Sequence, residues 1–187
     1  LGTPVHYYDV PANVKSWLKT IGRIDGTPVA SFVSYGGAGG NTHNTARTLL
    51  GLLEEQGGIP VGLATFGNMG AFPPEWALVG DQKVLAYQHL PNQKTYAGVR
   101  SYAVAVLNQV KTYTPLHANC EFDLRELIKG APARLPFKLM TGSHTIDKAS
   151  CIGCGTCHRV CPVEAIDPSQ GHVDRGKCLL CYGCLNN

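Results

Sequence analysis

Seven of the chain's eight cysteines stand between residues 151 and 184. They read Cys151-Ile-Gly-Cys154-Gly-Thr-Cys157-His-Arg-Val-Cys161-Pro162, then Cys178-Leu-Leu-Cys181-Tyr-Gly-Cys184. The first run is C-x2-C-x2-C-x3-C-P, a spacing whose backbone wraps one corner of an iron–sulfur cluster and turns amide N–H groups toward the sulfurs. Small residues such as Gly153 and Gly155 let that backbone come close. The second run repeats the pattern as far as C-x2-C-x2-C. Leu185, Asn186 and Asn187 follow, so the repeat would place its fourth cysteine at position 188, and the spacing predicts a chain cut one residue short of that ligand.

Two other chemistries use the same residue type. A secreted disulfide framework would spread its cysteines along the chain rather than gather them in a spaced repeat. Structural zinc takes two C-x-x-C pairs, whereas here there are two triplets and a Cys-Pro. The repeat favours iron–sulfur ligation. Reduced thiolates and an oxygen-sensitive cofactor then favour a cytoplasmic location. The composition adds exclusions. A formal net charge of +3 without a long basic run gives no support for a nucleic-acid partner. No apolar run approaches the roughly 18–20 residues of a membrane span. No signal peptide is seen, but the first residue is Leu1 rather than Met, which leaves a lost N-terminal signal open.

Several elements must position these groups. Residues 1–66 alternate between strand and helix patterns. Leu1 to Tyr7 reads as the end of a strand, and Pro11 pre-sets the first turn of a helix. Val14, Trp17, Leu18 and Ile21 then form its apolar stripe, and Gly22 stops it. Pro28 to Ser34 is a buried strand by pattern. The loop Gly36-Gly37-Ala38-Gly39-Gly40 leads into a second helix with the stripe Ala46, Leu49, Leu50 and Leu53, ended by Gly57. Ile59 to Phe66 is the next strand. Strands separated by helices imply parallel pairing and an α/β layer fold. Further on, Pro73-Pro74 reads as a break and Val84 to Tyr87 as a short strand. A helix over about residues 94–111 carries Val99, Ala103, Val106 and Val110 on one face. A short helix is expected after Asn119 with Phe122, Leu127 and Ile128. Cys120, outside both runs, reads as a buried or semi-buried thiol. Pro132, Pro136 and Gly142 mark a linker. The cysteine domain beyond it is too small for much of a core, so ligation must supply part of its folding energy.

Residues 144–187 closely resemble bacterial-type two-cluster ferredoxins. The resemblance implies that the fourth cysteine of each run ligates the other run's cluster. Cys161, Cys178, Cys181 and Cys184 would then complete one 4Fe–4S site, while Cys151, Cys154 and Cys157 form three quarters of the other. Ile152, Val160, Val163, Ile166 and Leu179 would pack around the clusters, and Asp167-Pro168 with Gly171 marks a hairpin between the runs. His158 reads as a solvated position.

Residues 2–66 resemble the second half of a flavodoxin-like domain, on the stretches Gly2-Thr3-Pro4-Val5-His6-Tyr7, Asp9-Val10-Pro11 and Phe32-Val33-Ser34-Tyr35-Gly36-Gly37-Ala38-Gly39-Gly40. In such proteins a ligand sits outside the carboxyl ends of parallel strands. The resemblance implies one flavin wall from Thr3, Pro4, Val5, His6 and Tyr7 and another from Tyr35, Gly36, Gly37, Gly39 and Gly40. Gly40-Asn41-Thr42 also echoes the flavodoxin phosphate loop, T-G-N-T. A strand end and helix already precede it, so it reads as a later loop, with the phosphate loop and first strands expected upstream of Leu1.

The whole chain looks like a flavodoxin–ferredoxin fusion of the iron–sulfur flavoprotein type found in anaerobes. Its expected organisation is a partial flavodoxin-like α/β domain at 1–115, a short helix and linker at 116–143, and a small α+β two-cluster domain at 144–187. The expected cofactors are two 4Fe–4S clusters and, in the full-length protein, FMN. The expected function is electron transfer between the clusters and the flavin, with redox proteins as partners and no catalytic acid, base or nucleophile. It would act as an electron-transfer protein or as a component of an oxidoreductase. The alternative is a simple ferredoxin-type carrier whose α/β half is a flavin-free docking module.

Overall fold

The computed structural model describes residues 1–128, 138–139 and 144–185. The linker markers Pro132, Pro136 and Gly142 lie outside these, as do Asn186 and Asn187. The chain divides near residue 130 into two compact units.

The first unit is built on a parallel sheet of β1 (Gly2–Pro4), β2 (Pro28–Gly36) and β3 (Ile59–Asn68), in that order. The crossovers contain α1 (Ala12–Leu18) and α2 (Thr42–Glu55), as parallel neighbours require. On β2 the residues Val29, Ser31 and Val33 are buried, the period-two face of a strand. Ser31 satisfies its hydroxyl by donating to the Ala46 carbonyl of α2 at 2.8 Å. The α2 stripe is fully used: Ala46, Leu49, Leu50 and Leu53 are all buried. Leu49, Leu50 and Leu53 join Val10, Leu18 and Val29 in one core cluster. Gly57, at φ +95°, turns the chain out of α2. Trp17 departs from the expected stripe of α1, being 51% exposed beside the buried Leu18.

Phe32 alternates to the other face of β2, where it meets Phe66 and Tyr102 at ring separations of 6.0 and 6.5 Å. Tyr102 belongs to α5 (Gln93–Thr112), whose first turn is held by a capping box between Asn92 and Thr95. The Tyr102 hydroxyl donates to the Ser31 carbonyl at 2.7 Å, and burial pushes its pKa up to about 12. The buried side of α5 is rotated from the expected one. Tyr102, Val106 and Gln109 are half-buried, while Val99, Ala103 and Val110 are exposed. The reason lies in the partner strand: Gly62 has no side chain, and Val106 and Tyr102 fill the space a Cβ there would take.

Two further expectations are corrected. Pro73-Pro74 opens α3 (Pro73–Val79), since proline fits a first helical turn. Val84 to Tyr87 is not a strand. Val84 and Leu85 end the helix α4 (Asp81–Leu85), which starts at Gly80 (φ +84°), and a turn follows. Only Val84 of this helix is buried. After α5 the chain runs to a 3₁₀ turn, Leu124–Ile128, where a short helix was expected. Phe122 and Leu127 are exposed there, and Cys120 is exposed rather than buried.

The second unit carries α6 (Thr156–Arg159) and the antiparallel pair β4 (Ile166–Asp167) and β5 (His172–Val173). The hairpin turns on Gly171 (φ +67°), and the Asp167 carboxylate accepts from the Ser169 and Gln170 amides. Among the described residues, no helix is long and apolar enough to cross a membrane.

The core assignment is testable. Leu49→Ala is expected to destabilise the first unit by about 2–5 kcal/mol, the cost of deleting a buried leucine. Trp17→Ala is expected to cost a small fraction of that. Chemical denaturation followed by circular dichroism compares the two, and equal losses would contradict the assigned core.

Candidate metal centre

The sequence repeat is also a backbone repeat. In the first run the third and fifth positions are Gly153 (φ +72°) and Gly155 (φ +67°). In the second run the same positions are Leu180 (φ +57°) and Tyr182 (φ +55°). Left-handed backbone costs an L-residue roughly 1–2 kcal/mol and costs glycine little. The first run therefore reaches this conformation with glycine. The second reaches it with a leucine that is 3% exposed and held by packing.

The shared turn sets each cysteine's neighbours. Cys157 lies in α6, which leads to Cys161. The Cys161 Sγ accepts the Ala165 amide at 3.2 Å, and the Cys178 Sγ accepts the Leu180 amide at 3.4 Å. Cys178 also faces the His144 Nε2 at 3.6 Å. Burial pushes the Cys184 thiol up, and the thiols of Cys181, Cys178 and Cys161 add to the rise. The Cys161 thiol of the first run is thus one of the groups that Cys184 of the second run feels. Cys154 lies at the surface. Hydrogen bonds from the Thr156 side chain and amide hold its thiol below the ordinary value, with Arg159 adding a positive charge.

This donor set fits a cluster better than a single ion. Tetrahedral zinc draws four sulfurs to about 2.3 Å from one point. Among the described residues no three His, Cys, Asp or Glu side chains converge in that way. The chemistry of the donors, thiols in a C-x2-C-x2-C repeat with backbone amides on the sulfurs of Cys161 and Cys178, fits a 4Fe–4S cluster.

The surrounding residues are only partly as expected. Ile166 and Leu179 are buried, and Val160 and Val163 are half-buried. Ile152 is 89% exposed. It follows Cys151 in the solvent-facing part of the first run, where no element among the described residues covers it. His158 is exposed, and its Nδ1 meets the Ile166 carbonyl at 2.8 Å, tying α6 to β4. Sequence reasoning passed over His144, because a single histidine upstream of a motif carries no spacing signal.

In the first unit the two expected flavin walls are neighbours. Thr3 and Pro4 lie in β1, and Val5, His6 and Tyr7 follow it. Tyr35 and Gly36 close β2, and Gly37, Gly39 and Gly40 follow. The pairing Pro4↔Ser34, continued by the Val5 amide on the Ser34 carbonyl at 2.9 Å, sets the two segments side by side at the carboxyl ends of the strands. Tyr7 stands edge-on to Phe72 at 5.8 Å. The space over the glycines is filled. The Glu75 carboxylate stands over Gly37, the Tyr35 ring over Gly39 and the Arg125 guanidinium over Gly40.

The N-terminus of α2 is taken as well. The Asn41 amide donates to the Asp123 Oδ2 at 3.1 Å, and the Asn41 side chain donates to Glu126. The backbone N–H of Arg125 helps hold the Asp123 carboxyl below its usual range. Gly40-Asn41-Thr42 therefore presents its amide to a carboxylate of the chain itself.

Residues 144–167 match the 4Fe-4S binding domain family. Over 42 residues the chain is 50% identical to the NADP-reducing hydrogenase subunit HndC of Solidesulfovibrio fructosivorans. That stretch is 22% of this chain and 8% of the subunit, so the chain matches a small part of that relative. No solved structure matches the chain. Together these findings support an iron–sulfur protein with a 4Fe–4S binding domain.

The backbone repeat yields a clean test, because nothing lies within 4 Å of a Cβ added at Gly153. Gly153→Ala is expected to pay the left-handed penalty alone, about 1–2 kcal/mol, or roughly five- to thirtyfold in cluster retention. Bleaching of cluster absorbance under a chelator measures this. Unchanged retention would show that the run does not need this backbone.

Proposed function

We propose that this chain carries electrons through two 4Fe–4S sites, with the α/β unit presenting a flavin-ring site as a further redox station. The first site comprises Cys161, Cys178, Cys181 and Cys184. The second comprises Cys151, Cys154 and Cys157. The observation that carries the reading is the matched left-handed backbone of the two runs.

The chain's own residues do three things at these sites. Cysteine thiolates bind. The amides of Ala165 and Leu180 donate to the ligand sulfurs of Cys161 and Cys178, stabilising added negative charge there. Leu179, Leu180, Ala165 and Ile166, all buried, keep water from that side. When bound, a 4Fe–4S cluster supplies storage and transfer of single electrons. No side chain is required as an acid, base or nucleophile.

The flavin part of the reading rests on the paired segments Thr3–Tyr7 and Tyr35–Gly40 at the carboxyl ends of β1 and β2. A specific observation favours the other reading, a carrier whose α/β unit is a flavin-free docking module. Glu75, Tyr35 and Arg125 already fill the space over the loop glycines. A flavin absorbance band in a chain that also carries the phosphate loop and first strands expected upstream of Leu1, released on denaturation, decides for the flavin. Its absence at stoichiometric FMN decides for the docking module.

For the clusters, anaerobic reconstitution followed by iron counting is the test. Cys181→Ala is expected to remove the four-cysteine cluster, about four iron atoms per chain. Iron at the Cys151, Cys154 and Cys157 site should remain, at that site's own lower retention. Full iron content in the variant would contradict the ligand set.

A further inference from the structure

His144 precedes the first cysteine run and belongs to neither, yet its Nε2 lies 3.6 Å from the Cys178 Sγ. The imidazole is half-buried. Its ring sits 5.9 Å from the Tyr182 ring, tilted by 38°. Tyr182 is the residue that replaces glycine at the fifth position of the second run, and it keeps the left-handed backbone at φ +55°. The first run has Gly155 there and thus no ring to brace anything.

We infer that His144, steadied by Tyr182, donates a hydrogen bond to the ligand sulfur of Cys178 and raises the reduction potential of that cluster above the value it would have without the imidazole. This rests on the ligand set proposed above. The direction of the bond follows from chemistry. A cluster-ligating cysteine is a thiolate, which can only accept, so Nε2 must carry the proton. A donor on a ligand sulfur stabilises the more negative, reduced state and moves the potential upward. When one electron from an external reductant is added at this site, the proton stays on Nε2 and is shared more strongly, so no proton need be taken up. Cys178 then accepts from two donors, the Leu180 amide and His144. His144 acts through the ligand and is a positioning residue. The first run has no such histidine, and its Cys154 takes its donors from Thr156 instead.

The test uses the full chain, reconstituted without oxygen and titrated with dithionite and mediators while absorbance and electron paramagnetic resonance are recorded. His144→Phe keeps a ring against Tyr182 and removes the donor. The expected result is a more negative potential for the Cys161, Cys178, Cys181 and Cys184 cluster, with the other cluster's potential unmoved and iron content unchanged. His144→Gln, which restores an N–H, should recover part of the shift. With nitrogen-15 histidine, pulsed measurements should show a weak coupling to the reduced cluster. An unmoved potential in His144→Phe at full iron content overturns the inference and leaves the ligand set standing. A strong, directly bonded nitrogen coupling also overturns it, since His144 would then be an iron ligand. Loss of that cluster from the unsubstituted chain overturns both.

Discussion

On the proposed ligand set, thiolate ligation does in the C-terminal unit what apolar burial does in the α/β unit. Its buried apolar residues among those described are Ala165, Ile166, Val173, Leu179 and Leu180. A core of that size does not hold a small domain by itself, and such domains use metals or cross-links instead. The backbone adds to the demand. Leu180, Tyr182 and Glu164 all hold positive φ without being glycine, each at a cost of about 1–2 kcal/mol. The proposed ligation of Cys161 together with the distant Cys178, Cys181 and Cys184 would supply what the core does not. The hairpin β4–β5 lies between those two runs in sequence, so the proposed cross-run ligation would also close that loop.

What could be read from the sequence was what is local. The cysteine spacing is local, and so are the leucine stripe of α2 and the glycine that ends it. The parallel pairing followed from the alternation of strand and helix patterns. The failures share a cause. Val84 to Tyr87 was too short for its period to separate helix from strand. The buried side of α5 was set by a missing side chain at Gly62, in a different element. Nothing local marks Cys120 and Ile152 as exposed. The contacts that shape the sites are also non-local. His144 reaches Cys178 across 34 positions and Asp123 reaches Asn41 across 82. A periodicity argument has no access to either.

The α/β unit shows how a family resemblance and a packed structure inform each other. The resemblance directs attention to the loops after β1 and β2, and the parallel register does bring them together. The same structure assigns neighbours to the loop glycines: Glu75, Tyr35 and Arg125 stand where larger residues at those positions would reach. The amide end of α2, an anion site by its geometry, is met by Asp123. The segment after α5 thus does for this helix what a bound anion would do.

The central claim is that the two cysteine runs share their ligands, with Cys161 serving the second run. Anaerobic alkylation of the reconstituted protein, mapped by mass spectrometry, tests it most directly. In Cys181→Ala, Cys161 is expected to become reactive together with Cys178 and Cys184, while Cys151, Cys154 and Cys157 keep the protection they have in the unsubstituted chain. If Cys161 instead stays protected with Cys151, Cys154 and Cys157, each run holds its own cluster and the account is wrong.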